Sequence, residues 1–156
     1  MSKKIFLVGL PASGKTTFAK RLSEQINSTF LDLDAEIVKS TNQSITELFE
    51  KGGEPSFREV EKEVLTKVVK DHSQFVLATG GGTPCFFDNM DFMNRNGITI
   101  YINTPLEEIT RRLADDSSRP LMKKFEPAEL LSKRRKWYEQ AQYTVSDYKK
   151  LEKLFD

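Results

Sequence analysis

Residues 9–16 read Gly-Leu-Pro-Ala-Ser-Gly-Lys-Thr and match the pattern G-x-x-x-x-G-K-[ST] without a gap. Glycines at this spacing let the backbone wrap so that its N–H groups and the following helix N-terminus face an anion. An apolar run at 5–8 precedes the motif, and a helix-forming segment from 15 to about 25 follows it. Because the strand and helix that the motif requires are both present, the sequence predicts a phosphate-binding loop rather than a chance match.

Two side chains of this motif have distinct chemistry. Lys15 supplies a positive charge for the β- and γ-phosphates, and the Thr16 hydroxyl is expected to contact Mg²⁺. The sequence therefore predicts nucleotide binding, with contacts from Gly9, Pro11, Ala12, Ser13, Gly14, Lys15, Thr16 and Thr17.

Strand-like and helix-like segments alternate along the 156 residues. Predicted strands lie at 5–8, 29–34, 75–79, 98–102 and 143–145. Capping boxes at Ser44 with Glu47 and at Ser56 with Glu59 predict helix starts, and Thr104-Pro105 predicts another. Further helices are predicted at about 56–69 and about 127–140. This order predicts an α/β fold in one domain, 1–156, around a parallel sheet of about five strands.

Composition limits the classes of partner. The formal net charge is +1, so no bulk field attracts nucleic acid or a membrane. No apolar run approaches the ~20 residues of a membrane span, and the single cysteine, Cys85, allows no disulfide within the chain. The basic run 133–136 points in several directions on a helix, which favours a solvated face over a nucleic-acid patch. We expect a cytoplasmic protein without nucleic-acid or membrane partners.

Two aspartates, Asp32 and Asp34, fall at the end of the second predicted strand. Two residues apart on a strand, they would project from one face near the edge where α/β sheets bind ligands. One could hold Mg²⁺ through water while the other accepts a hydrogen bond from a substrate hydroxyl. The alternative is a solvated strand end, with Asp34 capping the next helix.

Arg58 and Glu61 are three residues apart on the predicted long helix. Spacing alone favours a surface salt bridge of little energetic value. Alternatively, Glu61 could orient Arg58 for a bidentate grip on a carboxylate. The glycines Gly80, Gly81 and Gly82 after the third strand would let a substrate approach the backbone closely, or would form a flexible turn.

Arg112 precedes a polar loop at residues 114–120, and Arg119 lies in that loop. Arg119 could reach the γ-phosphate from a mobile lid at about 113–124, which would exclude water during transfer. Arg112 could stack on an adenine ring.

Taken together, these residues resemble the shikimate kinases, a family of small-metabolite kinases with a phosphate-binding loop. The resemblance covers nearly the whole chain and implies a three-layer α/β/α sandwich with the P-loop NTPase, nucleoside monophosphate kinase-like fold. The residues that carry it occur in the family's order: loop 9–16, Phe30-Leu31-Asp32-Leu33-Asp34, Phe57-Arg58-Glu59-Val60-Glu61, Gly80-Gly81-Gly82, Arg119-Pro120-Leu121, and Arg134 four residues before Tyr138.

The resemblance implies a role for each matching position. Asp34 would be the base, Arg58 and Arg134 would bind the acid's carboxylate, and the helical region 34–62 would hold the acid. Thr16 and Asp32 would serve Mg²⁺, Lys15 and Arg119 the transferring phosphate, and Arg112 the adenine. The implied acid-binding set is Asp34, Arg58, Glu61, Gly80, Gly81, Gly82 and Arg134, with Phe49 and Phe57 as its apolar wall.

The implied reaction is ATP plus shikimate to ADP plus 3-phosphoshikimate, within aromatic amino-acid (chorismate) biosynthesis, by a monomer. Gluconate kinase remains an alternative, because gluconate also carries a carboxylate and hydroxyls. Adenylate kinase is less consistent, since it needs a second nucleotide site and a longer lid. A non-catalytic nucleotide-binding module is the alternative outside the enzymes, and steady ADP release with an acid would distinguish the two.

Overall fold

The computed structural model describes residues 3–115 and 125–156. A five-stranded sheet lies at its centre, with strand order β2-β3-β1-β4-β5 and every neighbouring pair parallel. The strands are β1 (Lys4–Val8), β2 (Phe30–Asp32), β3 (Phe75–Ala78), β4 (Ile98–Ile102) and β5 (Tyr143–Val145). The predicted parallel α/β sheet is confirmed.

Seven helices lie between or after the strands within the described residues. They are α1 (Lys15–Gln25), α2 (Leu33–Thr41), α3 (Ile45–Asp71), α4 (Asn89–Asn96), α5 (Leu106–Asp115), α6 (Pro127–Tyr138) and α7 (Tyr148–Lys153). A short 3-10 turn, Thr83–Cys85, follows β3. No helix in the described parts of the chain has the length and apolar character needed to cross a membrane.

Alternate side chains of the buried strands enter two separate cores, because successive residues of a strand point to opposite faces. Phe6 and Val8 of β1 belong to the core that packs under α2, α3, α4 and α6. Ile5 and Leu7 belong to the other core, which packs under α1 and α7. The sheet is therefore covered on both faces, which explains why its central strands read as continuous apolar runs.

The long helix α3 differs from its prediction. Ser44 begins it with a complete capping box, in which Glu47 N donates to Ser44 Oγ and Glu47 Oε1 accepts from Ser44 N. Gly53 then takes φ 71° and ψ −174°, so the chain kinks between two helical segments. Ser56 lies inside the second segment, and the predicted start at Ser56 is wrong, because the kink at Gly53 already begins that segment.

Candidate active site

The loop between β1 and α1 has the geometry of a phosphate cradle. Gly9 has φ +149°, and a Cβ there would lie 2.8 Å from Ile102 O, so a side chain has no room. Gly14 has φ +99° at the N-cap of α1, a conformation that glycine adopts at little cost. Thr104 Oγ1 donates a 2.6 Å hydrogen bond to Ser13 O and fastens the loop to the segment after β4.

Lys15 is buried under this loop. Its Nζ donates 2.8 Å hydrogen bonds to Gly9 O and Leu10 O. These contacts hold the ammonium group inside the curve of the loop, where the backbone N–H groups at the start of α1 also converge. Ala12 keeps a left-handed conformation, φ 65°, which few non-glycine residues adopt. Thr17 lies on the exposed side of α1, one residue beyond Thr16.

Thr16 and Asp32 meet beside the loop. Thr16 Oγ1 donates a 3.1 Å hydrogen bond to Asp32 Oδ2. A hydroxyl and a carboxylate in contact are oxygen donors of the kind that Mg²⁺ prefers, and this ion typically completes its shell with water and phosphate oxygens. The donor chemistry of this pair therefore fits a magnesium ion bound together with a nucleotide.

The predicted strand geometry of Asp32 and Asp34 is wrong. Strand β2 ends at Asp32, and Asp34 lies in the first turn of α2. Asp32 caps that helix, since its Oδ1 accepts a 3.1 Å hydrogen bond from Ala35 N. The alternative, with Asp34 as the cap, is wrong for the same reason. Capping by Asp32 starts the helix earlier than the apolar pattern indicates.

Asp34 nevertheless lies beside the loop after β3, in the region bounded by Asp34, Arg58, Arg134 and residues 80–82, which is called the cleft below. Its Oδ1 is 3.4 Å from the position that a Cβ on Gly80 would take. The side chain is open to solvent at the cleft mouth, but protein surrounds its other sides. This partial burial, with Asp32 and Glu61 nearby, raises the pKa of Asp34 from 3.8 to about 6, although Lys15 and Arg58 act in the opposite direction.

Arg58 and Glu61 form a buried pair and not the surface salt bridge that their spacing alone favoured. Arg58 Nη1 donates a 2.9 Å bond to Glu61 Oε1, and the side chains are 8% and 1% exposed. Thr83 Oγ1 donates a 2.8 Å bond to Glu61 Oε2, so both carboxylate oxygens are occupied. The half-exposed Glu54 accepts a 3.2 Å bond from Arg58 Nη2. The guanidinium group is thus held from two sides.

Two aromatic rings also lie near the guanidinium group of Arg58. Its guanidinium carbon lies 4.2 Å from the centroid of the Phe86 ring and 5.2 Å from that of Phe57. Phe57 stacks on Phe49 with centroids 4.6 Å apart and an interplanar angle of 28°. Phe57 is buried and Phe49 is partly exposed, so this pair forms an apolar surface next to the arginine.

The glycines 80–82 allow several side chains to approach the backbone. A Cβ on Gly82 would lie 2.4 Å from Arg58 Nη2, and one on Gly81 would lie 3.0 Å from Arg134 Nη1. The same Cβ on Gly81 would lie 2.7 Å from Pro11 Cδ in the phosphate loop. The structure therefore brings Arg58, Arg134 and the phosphate loop together around one short segment, and excludes side chains from it.

Of the two arginines predicted to contact the nucleotide, Arg112 lies within the described residues and Arg119 does not. Arg112 lies beside the phosphate loop, where its Nη1 donates a 3.0 Å bond to Ala12 O and its Nε a 3.2 Å bond to Glu108 Oε1. Arg119 lies outside the described residues, as does most of the predicted lid at 113–124. Residues 113–115, at the beginning of that predicted lid, are the last residues of α5.

Sequence reasoning did not assign a role to several residues that hold this cleft together. Thr79 donates through N and Oγ1 to Leu7 O, at 3.2 and 2.8 Å, and joins the ends of β3 and β1. Tyr138 Oη donates a 2.6 Å bond to Gly81 O. Thr83, Thr104 and Tyr138 contact partners that are 22, 91 and 57 residues away, which no local pattern reveals.

Comparison with known proteins places this chain in a family. The model of the shikimate kinase family matches residues 11–155. The shikimate kinase of Azobacteroides pseudotrichonymphae is 40% identical over 147 residues, covering 89% of this chain and 86% of that protein. The shikimate kinase of Parabacteroides distasonis is 38% identical over 157 residues, covering 96% of this chain and 90% of that protein.

Solved structures agree with the sequence comparison. The shikimate kinase of Bacteroides thetaiotaomicron superposes with a TM-score of 0.89 at 35% identity, covering 97% of both chains. That of Acinetobacter baumannii, solved in complex with shikimate, gives 0.87 at 35% identity, covering 99% of this chain and 90% of that one. A gluconokinase from Sinorhizobium meliloti, at 12% identity and a TM-score of 0.57, shares the fold alone.

The family model, the identity to curated relatives and the structural superposition agree with one another and with the described cleft. The chain therefore belongs to the shikimate kinase family, whose members are ATP-dependent phosphotransferases that act on an alcohol group.

Proposed function

We propose that this chain transfers the γ-phosphoryl group of ATP to the 3-hydroxyl of shikimate, giving 3-phosphoshikimate and ADP, in aromatic amino-acid biosynthesis. The contact of Gly81 with both Pro11 and Arg134 carries the proposal, because it joins a phosphate-binding loop to an arginine-lined cleft. A phosphoryl donor and an anionic acceptor bound in these two places would lie side by side. Phosphoryl transfer gains mainly from such positioning and from charge stabilisation.

Arg58 and Arg134 are proposed to bind the shikimate carboxylate. The guanidinium group of Arg58 is buried and oriented by Glu61, and a planar guanidinium matches the two oxygens of a carboxylate. Arg134, on α6, approaches the same glycine segment. Phe49 and Phe57 offer the apolar surface that one face of the acid's carbon ring would contact.

Asp34 is proposed to accept the proton of the reacting hydroxyl. In the transfer, the hydroxyl oxygen forms a bond to the γ-phosphorus as the bond from phosphorus to the bridging β,γ-oxygen breaks, and the hydroxyl proton moves to Asp34. A base works best when its pKa lies near the working pH, and the raised pKa of Asp34, about 6, meets this requirement. The backbone of Gly80 and Gly81 would hold the ring hydroxyls.

Lys15, with the loop N–H groups, is proposed to stabilise charge on the β- and γ-phosphates. Thr16 and Asp32 would hold Mg²⁺, which neutralises phosphate charge when it is bound with the nucleotide. Gly9, Pro11, Ala12, Ser13, Gly14 and Thr17 would form the remaining nucleotide contacts, with Arg112 near the adenine. Arg119 would act on the transferring phosphate.

Two features of organisation belong to the same proposal. The chain would act as one domain, with 34–62 as the region that binds the acid and about 113–124 as a lid. We expect a monomeric enzyme that works in the cytoplasm on small molecules and has no nucleic-acid or membrane partner.

A coupled ADP-release assay with Mg²⁺-ATP tests the proposal, using shikimate, gluconate, AMP and no acceptor. We expect turnover with shikimate and background rates with the others. Turnover with gluconate or AMP but not with shikimate would support phosphoryl transfer from ATP and contradict shikimate as the acceptor. Background rates with all four would favour a non-catalytic nucleotide-binding protein.

A further inference from the structure

The side chain of Tyr138 joins the two halves of the acid-binding cleft. It is the last residue of α6 and is 0% exposed. Its hydroxyl donates a 2.6 Å hydrogen bond to Gly81 O. Its ring packs on Tyr101 of β4, with centroids 5.2 Å apart and an interplanar angle of 32°. A buried side chain that is held by its ring and by its hydroxyl in this way sets the distance between α6 and the glycine segment.

The carbonyl that Tyr138 binds is the middle one of the glycine segment. Gly80 O accepts from Thr83 N at 3.1 Å, and Gly82 O accepts from Cys85 N at 3.0 Å, so the two outer carbonyls belong to the following 3-10 turn. Gly81 O instead receives a side-chain donor from another element. The orientation of the Gly81 peptide is therefore set by α6 as well as by its own turn.

Arg134 lies four residues before Tyr138 on the same helix, and therefore on the same helix face. Its Nη1 is 3.0 Å from the position of a Cβ on Gly81. Tyr138 and Arg134 thus contact the same glycine, one through its carbonyl and the other across its Cα. A shift of α6 relative to Gly81 would move the guanidinium group of Arg134 by a similar amount.

We propose that Tyr138 is a positioning residue for the acid substrate, acting through Arg134 and the Gly81 peptide without touching the substrate. This inference rests on the proposed function. The hydroxyl of Tyr138 keeps Arg134 at the distance from Gly81 at which its guanidinium group binds the carboxylate while the backbone of Gly80 and Gly81 holds the ring hydroxyls. Loss of the hydroxyl leaves Gly81 O without its donor and lets α6 settle in a different place.

The variant Tyr138→Phe tests the proposal, with Tyr101→Phe as the matched control. Tyr101→Phe removes a hydroxyl from the ring that packs on Tyr138, and that hydroxyl donates to Asn103 Oδ1, away from the glycines. We expect Tyr138→Phe to raise the KM for shikimate about fivefold to tenfold, the equivalent of one lost hydrogen bond. The KM for ATP should stay within about twofold of wild type, as should both constants of the control.

A double-mutant comparison separates positioning from general structural support. If Tyr138 acts through Arg134, the effect of Tyr138→Phe on the shikimate KM largely disappears in an Arg134→Ala background. Equal effects in both backgrounds, or a Tyr138→Phe variant with wild-type KM, would overturn the proposal. A wild-type enzyme inactive on shikimate would instead refute the proposed function, so the two failures are distinguishable.

Because deletion of a buried hydroxyl can lower stability, each variant is assayed well below its own Tm. A second measurement uses the wild-type protein and remains informative if Tyr138→Phe does not fold. A buried hydroxyl in a 2.6 Å hydrogen bond should give a slowly exchanging proton in NMR spectra of tyrosine-labelled protein. A hydroxyl of Tyr138 that exchanges rapidly with solvent would contradict the bond and the proposal with it.

Discussion

Arg58 Nη1 and Glu61 Oε1 lie 2.9 Å apart in a pair of which both side chains are nearly excluded from solvent. A surface pair at this helix spacing contributes little to stability, but removal of one partner from a buried pair leaves an uncompensated charge. The second oxygen of Glu61 accepts from Thr83, so the protein itself holds both oxygens of this carboxylate. The pair therefore combines a structural role with orientation of the arginine.

Glu61→Gln is expected to lower the free energy of unfolding by about 3 kcal/mol, because Arg58 would lose its buried countercharge. The KM for shikimate should rise in the same variant, with little change in the KM for ATP. Denaturant titration and steady-state kinetics measure the two effects. Glu63→Gln, at an exposed position of α3, is the control and should change stability by no more than about 0.5 kcal/mol. Equal effects of the two variants would return Glu61 to the class of surface residues.

Lys15→Ala is expected to lower kcat by about a hundredfold to a thousandfold, the cost of removing one preorganised positive donor from the phosphates. The fold should persist, since the β1 and α1 apolar contacts do not involve the ammonium group. Lys20→Ala, at an exposed position of α1, provides the comparison and should retain full activity. A folded Lys15→Ala enzyme with wild-type turnover would contradict the assignment of the loop.

The raised pKa of Asp34 predicts a dependence of activity on pH. If Asp34 is the base, kcat/KM for shikimate should fall as the pH drops through about 6, where the carboxylate becomes protonated. Asp34→Asn should cut kcat by about a hundredfold or more and remove this limb of the profile. A variant that binds shikimate weakly but keeps its turnover would make Asp34 a binding group and not the base.

The same pKa predicts an effect on stability of opposite sign to that of an ordinary paired aspartate. The folded-state pKa, about 6, exceeds the ordinary aspartate value of 3.8, so the folded protein binds more protons between these pH values. The contribution of Asp34 to stability is present below pH 3.8 and is lost as the pH rises through about 6. Asp34→Asn should therefore raise Tm at about pH 7.5, with little gain at about pH 3.5. A lowered Tm at neutral pH would contradict this sign.

Gly82→Ala is expected to weaken acid binding by a steric route. The added Cβ would lie 2.4 Å from Arg58 Nη2, so the guanidinium group must leave its place between Glu61 and Phe86. We expect a rise of about tenfold or more in the KM for shikimate, with the KM for ATP nearly unchanged. Gly80→Ala is the graded comparison, because its nearest neighbour would lie at 3.1 Å and its effect should be smaller. A larger effect of Gly80→Ala would argue against this geometry.

Local sequence patterns predicted the parts of the site that local forces build. The spacing of residues 9–16 fixes the phosphate loop, because the conformations of its glycines and the N-terminus of α1 are properties of that segment alone. The Ser44 capping box also formed as predicted. Where two local patterns overlap, the sequence alone does not decide between them. At Asp32 the pattern of a helix cap overlaps the apolar alternation of a strand, and the structure forms the helix cap.

The contacts that join separate segments could not be predicted from the residues alone. Arg58 and Glu61 have a spacing typical of surface pairs, but the structure buries both side chains. Their burial depends on how α3 packs on the sheet. Thr83, Thr104 and Tyr138 are ordinary hydroxyl residues in the sequence, and their partners are fixed only by the tertiary fold. The resemblance to a family supplied the proposed acid-binding positions, which spacing alone had left open.

The two hydrogen bonds that Thr79 donates to Leu7 O affect how such an enzyme can change during evolution. Thr79 joins the ends of two adjacent strands, β1 and β3, and the loops that leave these strands contain residues 9–16 and residues 80–82. The distance between the points where these two loops begin therefore follows the strand spacing of about 4.8 Å. Under the proposed function, substitutions on α3 and α6 would change which acid is bound without altering this strand spacing, so that specificity can evolve while the two strands stay as they are.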